Sequence, residues 1–329
     1  MEEKKIEVAL IYRQCHTLSK DHYYTYIYHY FMNALKRNTD ISMTYYSTGE
    51  IFDVKDIKQD TDIIMLTENG NTGDLCVPNE IKNIDKIDIP VISNVGDAYA
   101  MKKKDIQVNH DKYNITAYYG RHPQGFFKKY YGQKVKFQTI LWGLENPLYE
   151  NILPFHDRKK SKILNSGALA PTKFLSKLIT RYFRHGNPEN QYRLRTLCNN
   201  LPYIDYTPTL VHDYVGDRYP LLLEKYAASI AATSHCYTMK YLEIPASGCL
   251  TFMEVTDENY ANELGFKDNE SAIFINDRNY QEKFEEYIHD QNNKKWEDIA
   301  NAGRRHVMNN LTNDHAINEL VKFMDKLIN

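Results

Sequence analysis

Short apolar runs alternate along the first half of the chain with longer stretches whose apolar residues recur every three or four positions. Ile6 to Tyr12 (IEVALIY) is compact and rich in β-branched residues, which predicts a buried strand. Ser19 to Leu35 follows with Tyr24, Ile27, Phe31, Ala34 and Leu35 on one stripe, the spacing of a helix. Ile41 to Tyr46, Asp62 to Leu66 and Ile89 to Ser93 are further strand-like runs. Strands alternating with helices in this way predict βαβ units and a parallel sheet covered on both faces. The stretch Tyr118 to Val135 is aromatic and basic, the run Arg121 to Lys136 reads as a charged outer helix rather than a surface for RNA, membrane or an acidic acceptor, and Phe137 to Trp142 ends at Gly143. Asn146-Pro147 and Pro154 then break the pattern.

The rhythm restarts at Lys162 to Ser166 (KILNS), a strand running into Gly167, and Pro171 to Tyr182 reads as a helix with proline in its first turn. Tyr226 to Ala232 is a strand of small residues, Thr238 to Ser247 a short helix ended by Gly248, and Cys249 to Val255 and Ser271 to Ile275 are strands. Three helices close the chain: Tyr280 to Asp290, Lys294 to Asn309 and Asn313 to Leu327. The last keeps Ala316, Leu320, Phe323, Met324, Leu327 and Ile328 in helical register, with Thr312 placed to cap it. The reading is thus an α/β chain of two Rossmann-like domains in tandem, residues 1–145 and 161–329, joined by a linker at 146–160. Ligands of open parallel sheets bind outside the carboxyl ends of the strands, so a cleft between the domains is expected to hold them.

Composition narrows the function. The 329 residues suffice for two cores, and 41 basic against 43 acidic residues leave a formal charge of −2, which excludes a global field for polyanions. Cys15, Cys76, Cys198, Cys236 and Cys249 are odd in number and show no C-x-x-C spacing, which argues against a disulfide framework or structural zinc and for a reducing, cytoplasmic setting. The start MEEKKIEVALIYRQ lacks the pattern of a signal peptide, and no window holds 18 uninterrupted apolar residues. Tyrosine is in surplus, 27 against 13 Phe, which suits sugar-facing clefts or a core with polar edges.

The most informative segment runs from Lys240 to Leu250. Glu243, near a helix start after a strand, can accept from both hydroxyls of a vicinal diol such as a ribose. The helix start offers unpaired amides to a diphosphate, and Lys240 adds a point charge. In the first domain, loops after strands carry Arg13 and His16, Glu68, Asn69 and Asn71, then Asn94, Gly96 and Asp97. His16 and Asp97 are the candidates for a general base. Cys15 and His16 are no nucleophile pair, since neighbours at a strand end point apart. Asp60-Thr61-Asp62 precedes its apolar strand, at the wrong end for a metal-binding DxD, and reads as a solvated strand start.

Glu243 to Gly248 (EIPASG), Lys240 three residues earlier, and the downstream text Glu263 to Phe266 (ELGF), Ala272 to Phe274 and Ile299 to Arg305 (IANAGRR) together resemble the donor domain of group 1 glycosyltransferases of the GT-B fold. The match covers roughly the last hundred residues. The resemblance implies a nucleotide-diphosphate sugar, UDP- or GDP-linked, on the C-terminal domain, with Glu243 on the ribose and Tyr237 and Thr238 alongside. It places His235 where the family has a Glu that contacts sugar hydroxyls. It also implies a diphosphate held by Gly167 and Lys173, with Ala168 standing where an Arg is usual. Arg195 is the preferred replacement for that cation, with Arg193 and Lys240 as the others. The acceptor is then a saccharide or a lipid-linked glycan, and neither metal nor cofactor is needed because lysines and helix starts neutralise the diphosphate. Nucleic acid is not expected as a partner. A non-catalytic carbohydrate- or partner-binding protein on the same scaffold and a sugar-nucleotide epimerase are the rival readings.

Overall fold

The structure, a computed structural model, describes residues 4–13, 25–68, 77–95, 103–132, 134–170, 192–208, 213–234 and 236–329. The chain forms two compact units: Met1–Gly143 with Thr312–Asn329, and Leu144–Leu311.

The first unit is built on strands β1 (Ile6–Arg13), β2 (Ile41–Thr48), β3 (Ile51–Asp53), β4 (Ile63–Glu68), β5 (Glu80–Lys82), β6 (Val91–Asn94), β7 (Ala117–Gly120) and β8 (Lys136–Thr139). Six of them form a sheet in the order β2-β1-β4-β6-β7-β8, parallel throughout, while β3 and β5 pair separately. The centre of β1, Val8 to Ile11, is fully buried, as an apolar run covered on both faces must be. Helix α1 (Thr25–Arg37) buries Ile27, Phe31, Ala34 and Leu35, the stripe its spacing predicts. Helices α2 (Lys103–Lys112) and α3 (Gln124–Tyr131) follow.

The aromatic and basic stretch divides between β7 and α3. Phe126, Phe127 and Tyr131 of α3 face the core, Phe127 lying 4.1 Å from the Phe137 ring, and Lys128 and Lys129 face solvent. Tyr28, Tyr30, Tyr113, Tyr118 and Tyr119 are buried as well, so these tyrosines fill the first unit's core rather than its surface. Asp62 accepts from the Glu7 amide at 3.0 Å and from Lys4 Nζ at 3.3 Å, a strand-start role that matches its sequence reading.

The second unit holds β9 (Lys159–Ser166), β10 (Ile204–Thr207), β11 (Tyr226–Ala231), β12 (Leu250–Glu254) and β13 (Ile273–Ile275), parallel and ordered β10-β9-β11-β12-β13. Strand β9 starts at Lys159, inside the stretch read as linker. Its first half, Lys159 to Lys162, alternates exposed with half-buried positions, three of the four being lysines, and pairs Lys159 with Asp205 at 2.6 Å, a pattern that reads as charged loop until the pairing is known. Helices α4 (Arg193–Cys198), α5 (Tyr219–Leu223), α6 (Lys240–Ala246), α7 (Tyr280–His289) and α8 (Lys294–Asn310) complete the unit. Gly248 takes the left-handed conformation just past α6, at φ +76°. The core packs Phe252, Phe284, Tyr287 and Trp296 among the small residues of β11.

The closing helix, α9 (Asn313–Ile328), packs in the first unit and not in the second, where the sequence reading put it. It lies against α1, with Arg37 donating to Asp314 at 2.7 and 3.1 Å, Asn38 to Asn318 at 2.9 Å and the Gly143 amide to Asn313 at 2.5 Å. The stripe of α9 specifies a buried face but not which core receives it; these polar contacts do. Thr312 caps α9 by accepting from the His315 amide. Among the described residues no helix is long and apolar enough to cross a membrane.

Candidate functional site

Strands β9 and β11 are neighbours in the second sheet, so their carboxyl ends bring Gly167 and Ala232 to one edge. Gly167 sits at φ +117°, where a side chain is strained, and a Cβ there would lie 2.8 Å from Arg195 Nη1 and 2.9 Å from Lys240 Cε. Only a glycine lets two cationic side chains from two different helices close on the same piece of backbone.

Arg195, from α4, is 2% exposed. Its Nη2 donates to the Ala232 carbonyl at 2.6 Å and its Nη1 to the Ala168 carbonyl at 3.2 Å, so one guanidinium ties the end of β9 to the end of β11. Its Nε has no partner among the described residues. Ala168, where the resemblance leaves a cation wanting, is thus in direct contact with one. Lys240, from the first turn of α6, donates to Ser166 Oγ at 3.0 Å and to the Tyr219 hydroxyl at 3.1 Å, and its ammonium lies 4.8 Å from the Tyr219 ring centre. Ser166 and Tyr219 are themselves 2.6 Å apart. Although Lys240 keeps some exposed surface as a residue, this packing strips water from its charge. Burial and the positive charge of Arg195 lower the ammonium to about 7, with Glu243 opposing them. Burial pushes the Tyr219 phenol up.

Glu243 is buried one turn along α6, 6% exposed. The amides of Tyr241, Leu242 and Glu243 donate to Thr238, Met239 and Met239 carbonyls at 2.8 to 3.0 Å. The unpaired helix-start amides expected from sequence are therefore not these three, because the turn at Thr238 and Met239 already satisfies them. Thr238 Oγ1 is buried without a partner among the described residues, and the Tyr237 amide donates to the Asn259 carbonyl at 3.0 Å.

Asn259 was not legible as a site residue, yet it organises this edge. Fully buried, it donates to the carbonyls of Thr233 at 2.8 Å and Glu254 at 2.9 Å and accepts from the amides of Thr256 and Ala261. The Tyr241 hydroxyl joins the same hub, donating to the Glu254 carbonyl at 2.9 Å and accepting from the Thr233 amide at 3.2 Å. The loops after β11 and β12 are thereby fixed to each other. Glu254 was also missed; its signal was a lone carboxylate at the end of the otherwise apolar run CLTFMEV.

Of the other candidates, His16, Asp97, Lys173 and His235 lie outside the described residues, as do Asn69, Asn71 and Gly96. Arg13 pairs with Glu50 at 2.5 Å, and buried Asn94 donates to the Tyr28 hydroxyl at 3.2 Å. Arg193 is exposed and pairs with Asp277 at 2.7 Å. Chemically, the edge at Gly167 offers close backbone approach, a guanidinium and an ammonium, which together suit an anion with several oxygens.

Residues 189–322 match the profile of the family described as glycosyl transferase-like. No curated protein matches the chain in sequence. Among solved structures, a glycosyltransferase from Rickettsia africae superposes at a TM-score of 0.59 with 12% identity, covering 99% of this chain and 99% of that one. HepE from Anabaena, in complex with UDP and glucose, matches at 0.57 with 10% identity over 98% of this chain and 100% of its own. Sucrose-phosphate synthase from Thermosynechococcus elongatus matches at 0.58 with 8% identity, over 98% and 99%. At such identities the superpositions show the shared fold alone. The chain thus carries a glycosyl transferase-like segment at residues 189–322 and, over nearly its whole length, the GT-B fold of two Rossmann-like units.

Proposed function

We propose that this enzyme moves a sugar from a UDP- or GDP-linked donor to a saccharide or lipid-linked acceptor, without a metal ion or other cofactor. The observation that carries the reading is the convergence of Arg195 and Lys240 on Gly167. The donor's diphosphate lies against the Gly167 backbone, where Lys240 and Arg195, with Lys173, offset the charge that builds on the leaving group as the glycosidic bond breaks. Glu243 accepts from the ribose hydroxyls, Tyr237 and Thr238 line the same loop, and His235 contacts the sugar or a phosphate oxygen. His16 or Asp97 takes the proton of the acceptor hydroxyl where the transfer requires a base. The complexes of HepE with UDP, with UDP and glucose, and with UDP-glucose support a uridine donor as the first to test. A cytoplasmic setting is part of the proposal, supported by the free, buried thiols of Cys198 and Cys249.

The test is a thermal-shift panel of UDP- and GDP-sugars in metal-free buffer containing a chelator. One of them should raise the midpoint, and Glu243→Ala should remove that rise. No shift with any nucleotide sugar would overturn the reading, and a shift that appears only on adding a divalent cation would overturn its metal-free part.

A further inference from the structure

Both hydrogen-bond partners of the Lys240 ammonium are neutral hydroxyls. Nζ donates to Ser166 Oγ at 3.0 Å and to the Tyr219 hydroxyl at 3.1 Å, and those two oxygens lie 2.6 Å from each other, so three polar atoms from three elements close a triangle. Ser166 ends β9 and is 1% exposed, and Tyr219 opens α5 and is 7% exposed. Pro220 follows in the first turn of α5, where its fixed φ suits a helix start, so the phenol is presented from a stiff piece of backbone. The triangle stands beside Gly167, since a Cβ on that residue would lie 3.4 Å from Lys240 Nζ.

An ammonium carries three N–H groups and no acceptor, whereas an amine carries two and a lone pair. The triangle serves either form. With the ammonium, both oxygens accept from Nζ and a third N–H is left for an oxygen of a diphosphate. With the amine, Nζ donates to Ser166, Ser166 to Tyr219, and Tyr219 back to the lone pair, which closes a ring. Passing from amine to ammonium puts one solvent proton on Nζ and turns the Tyr219 hydroxyl hydrogen away from it; no heavy atom has to move. The charged groups that act on Nζ are Arg195 from α4 and Glu243 from α6, which oppose each other. Burial pushes up the Tyr219 phenol and the nearby Cys249 thiol, so both keep their protons.

We propose that Ser166 and Tyr219 are positioning residues of the donor site, whose paired hydroxyls hold Lys240 beside Gly167 and let it take up its proton in place as a diphosphate arrives. This role rests on the diphosphate reading of Gly167, Arg195 and Lys240 and adds the two residues that govern when Lys240 carries its charge. Each hydroxyl accepts from the ammonium, and bonds to a charged form are the stronger ones, so removing either hydroxyl disfavours the charge.

Calorimetric titration of UDP between about pH 5.5 and about pH 9 tests this on the wild type, Tyr219→Phe, Ser166→Ala and Ser166→Thr. Tyr219→Phe keeps the ring 4.8 Å from the ammonium and removes only the hydroxyl. In it and in Ser166→Ala the pH above which UDP affinity declines should fall by about one unit, so that binding is about tenfold weaker than in the wild type near about pH 8 and within about threefold of it at about pH 5.5. Ser166→Thr keeps a hydroxyl and should follow the wild type. With Lys240 at about 7, the wild type should take up about half a proton per UDP at that pH and Tyr219→Phe most of one. In a Lys240→Met background, Tyr219→Phe should change UDP affinity by less than about twofold. If Tyr219→Phe fails to fold, Ser166→Ala against Ser166→Thr carries the test. Affinity lowered to the same degree at every pH, lowered equally with and without Lys240, or unchanged at every pH would overturn the proposal while leaving the donor-site reading intact. Failure of UDP to bind the wild type, or binding untouched by Lys240→Met, would overturn that reading and this role with it.

Discussion

Two ionisable side chains at one sheet edge are displaced in opposite directions by the same cause. Lys240 beside Gly167 and Glu254 at the end of β12 both meet near pH 7, one brought down from 10.5 and the other up from 4.5, chiefly by burial. Around Lys240 stand a guanidinium, two hydroxyls and Glu243, so a single carboxylate faces two cations. Around Glu254 the charge of Asp277 adds to burial against Arg195, Arg193 and the Thr233 amide, and one carboxylate oxygen, Oε2, has no partner among the described residues. The first place is thus short of the negative charge that a diphosphate would bring, and the second keeps a buried carboxylate oxygen with no partner among the described residues. Perturbed groups of this kind gather at functional sites.

The hub that joins the two places offers the hardest way to break the comparison. Asn259→Ala removes bonds to Thr233, Glu254, Thr256 and Ala261 together and should cost about 2–4 kcal/mol of stability, read by urea denaturation, while weakening UDP. A loss of stability with UDP affinity unchanged would show that the loops are held independently.

Lys240→Met should separate the regions. Losing a charge-assisted contact to the diphosphate is expected to weaken UDP by about 2–3 kcal/mol, on the order of a hundredfold by calorimetry, whereas Glu254→Gln should leave UDP within about twofold. Equal effects of the two variants on UDP would merge the two places into one.

The pH response sharpens the contrast further. The folded chain binds more protons than the unfolded chain at Glu254 between pH 4.5 and about 7, so this group's contribution falls as pH rises through that window. At Lys240 the unfolded chain binds more between about 7 and 10.5, so its contribution to stability rises with pH there. Glu254→Gln should therefore gain about 1–3 kcal/mol over the wild type on going from acid to mildly alkaline buffer. Lys240→Met should gain over the wild type at and below about pH 7 and lose that advantage as pH rises toward 10.5. Denaturant midpoints across the two windows check both signs, and parallel curves for wild type and variants would refute the burial of either group.

Much of this was legible before any coordinates. Alternating apolar runs carry the parallel-sheet pattern because a strand buried on both faces has nowhere to put polar residues, and β1, β4 and β12 read directly. The meeting of Gly167, Arg195 and Lys240 was partly legible, since glycine after a strand and lysine at a helix start each have a local meaning. What sequence could not supply was partnership over distance. The stripe of α9 says that a face is buried, but only Asp314 against Arg37 and Asn313 against the Gly143 amide say which unit buries it. Asn259 looks like any turn asparagine until its carbonyl partners are known. Glu254 hid for a related reason, because one carboxylate at a strand end carries no pattern. The tyrosine surplus, legible as two alternatives, resolves for Tyr113, Tyr118, Tyr119 and Tyr131 into core packing.

The most direct test of the central claim, a diphosphate seated on Lys240 and Arg195 at Gly167, is the count of protons taken up when UDP binds. An ammonium lowered to about 7 in the free protein is largely neutral at about pH 8 and must recharge beside a phosphate. Calorimetry in two buffers of different ionisation enthalpy should show that wild type takes up most of one proton per UDP at that pH and that Lys240→Met takes up almost none. Tight UDP binding with no buffer dependence in the wild type, or the same uptake in Lys240→Met, would contradict the account.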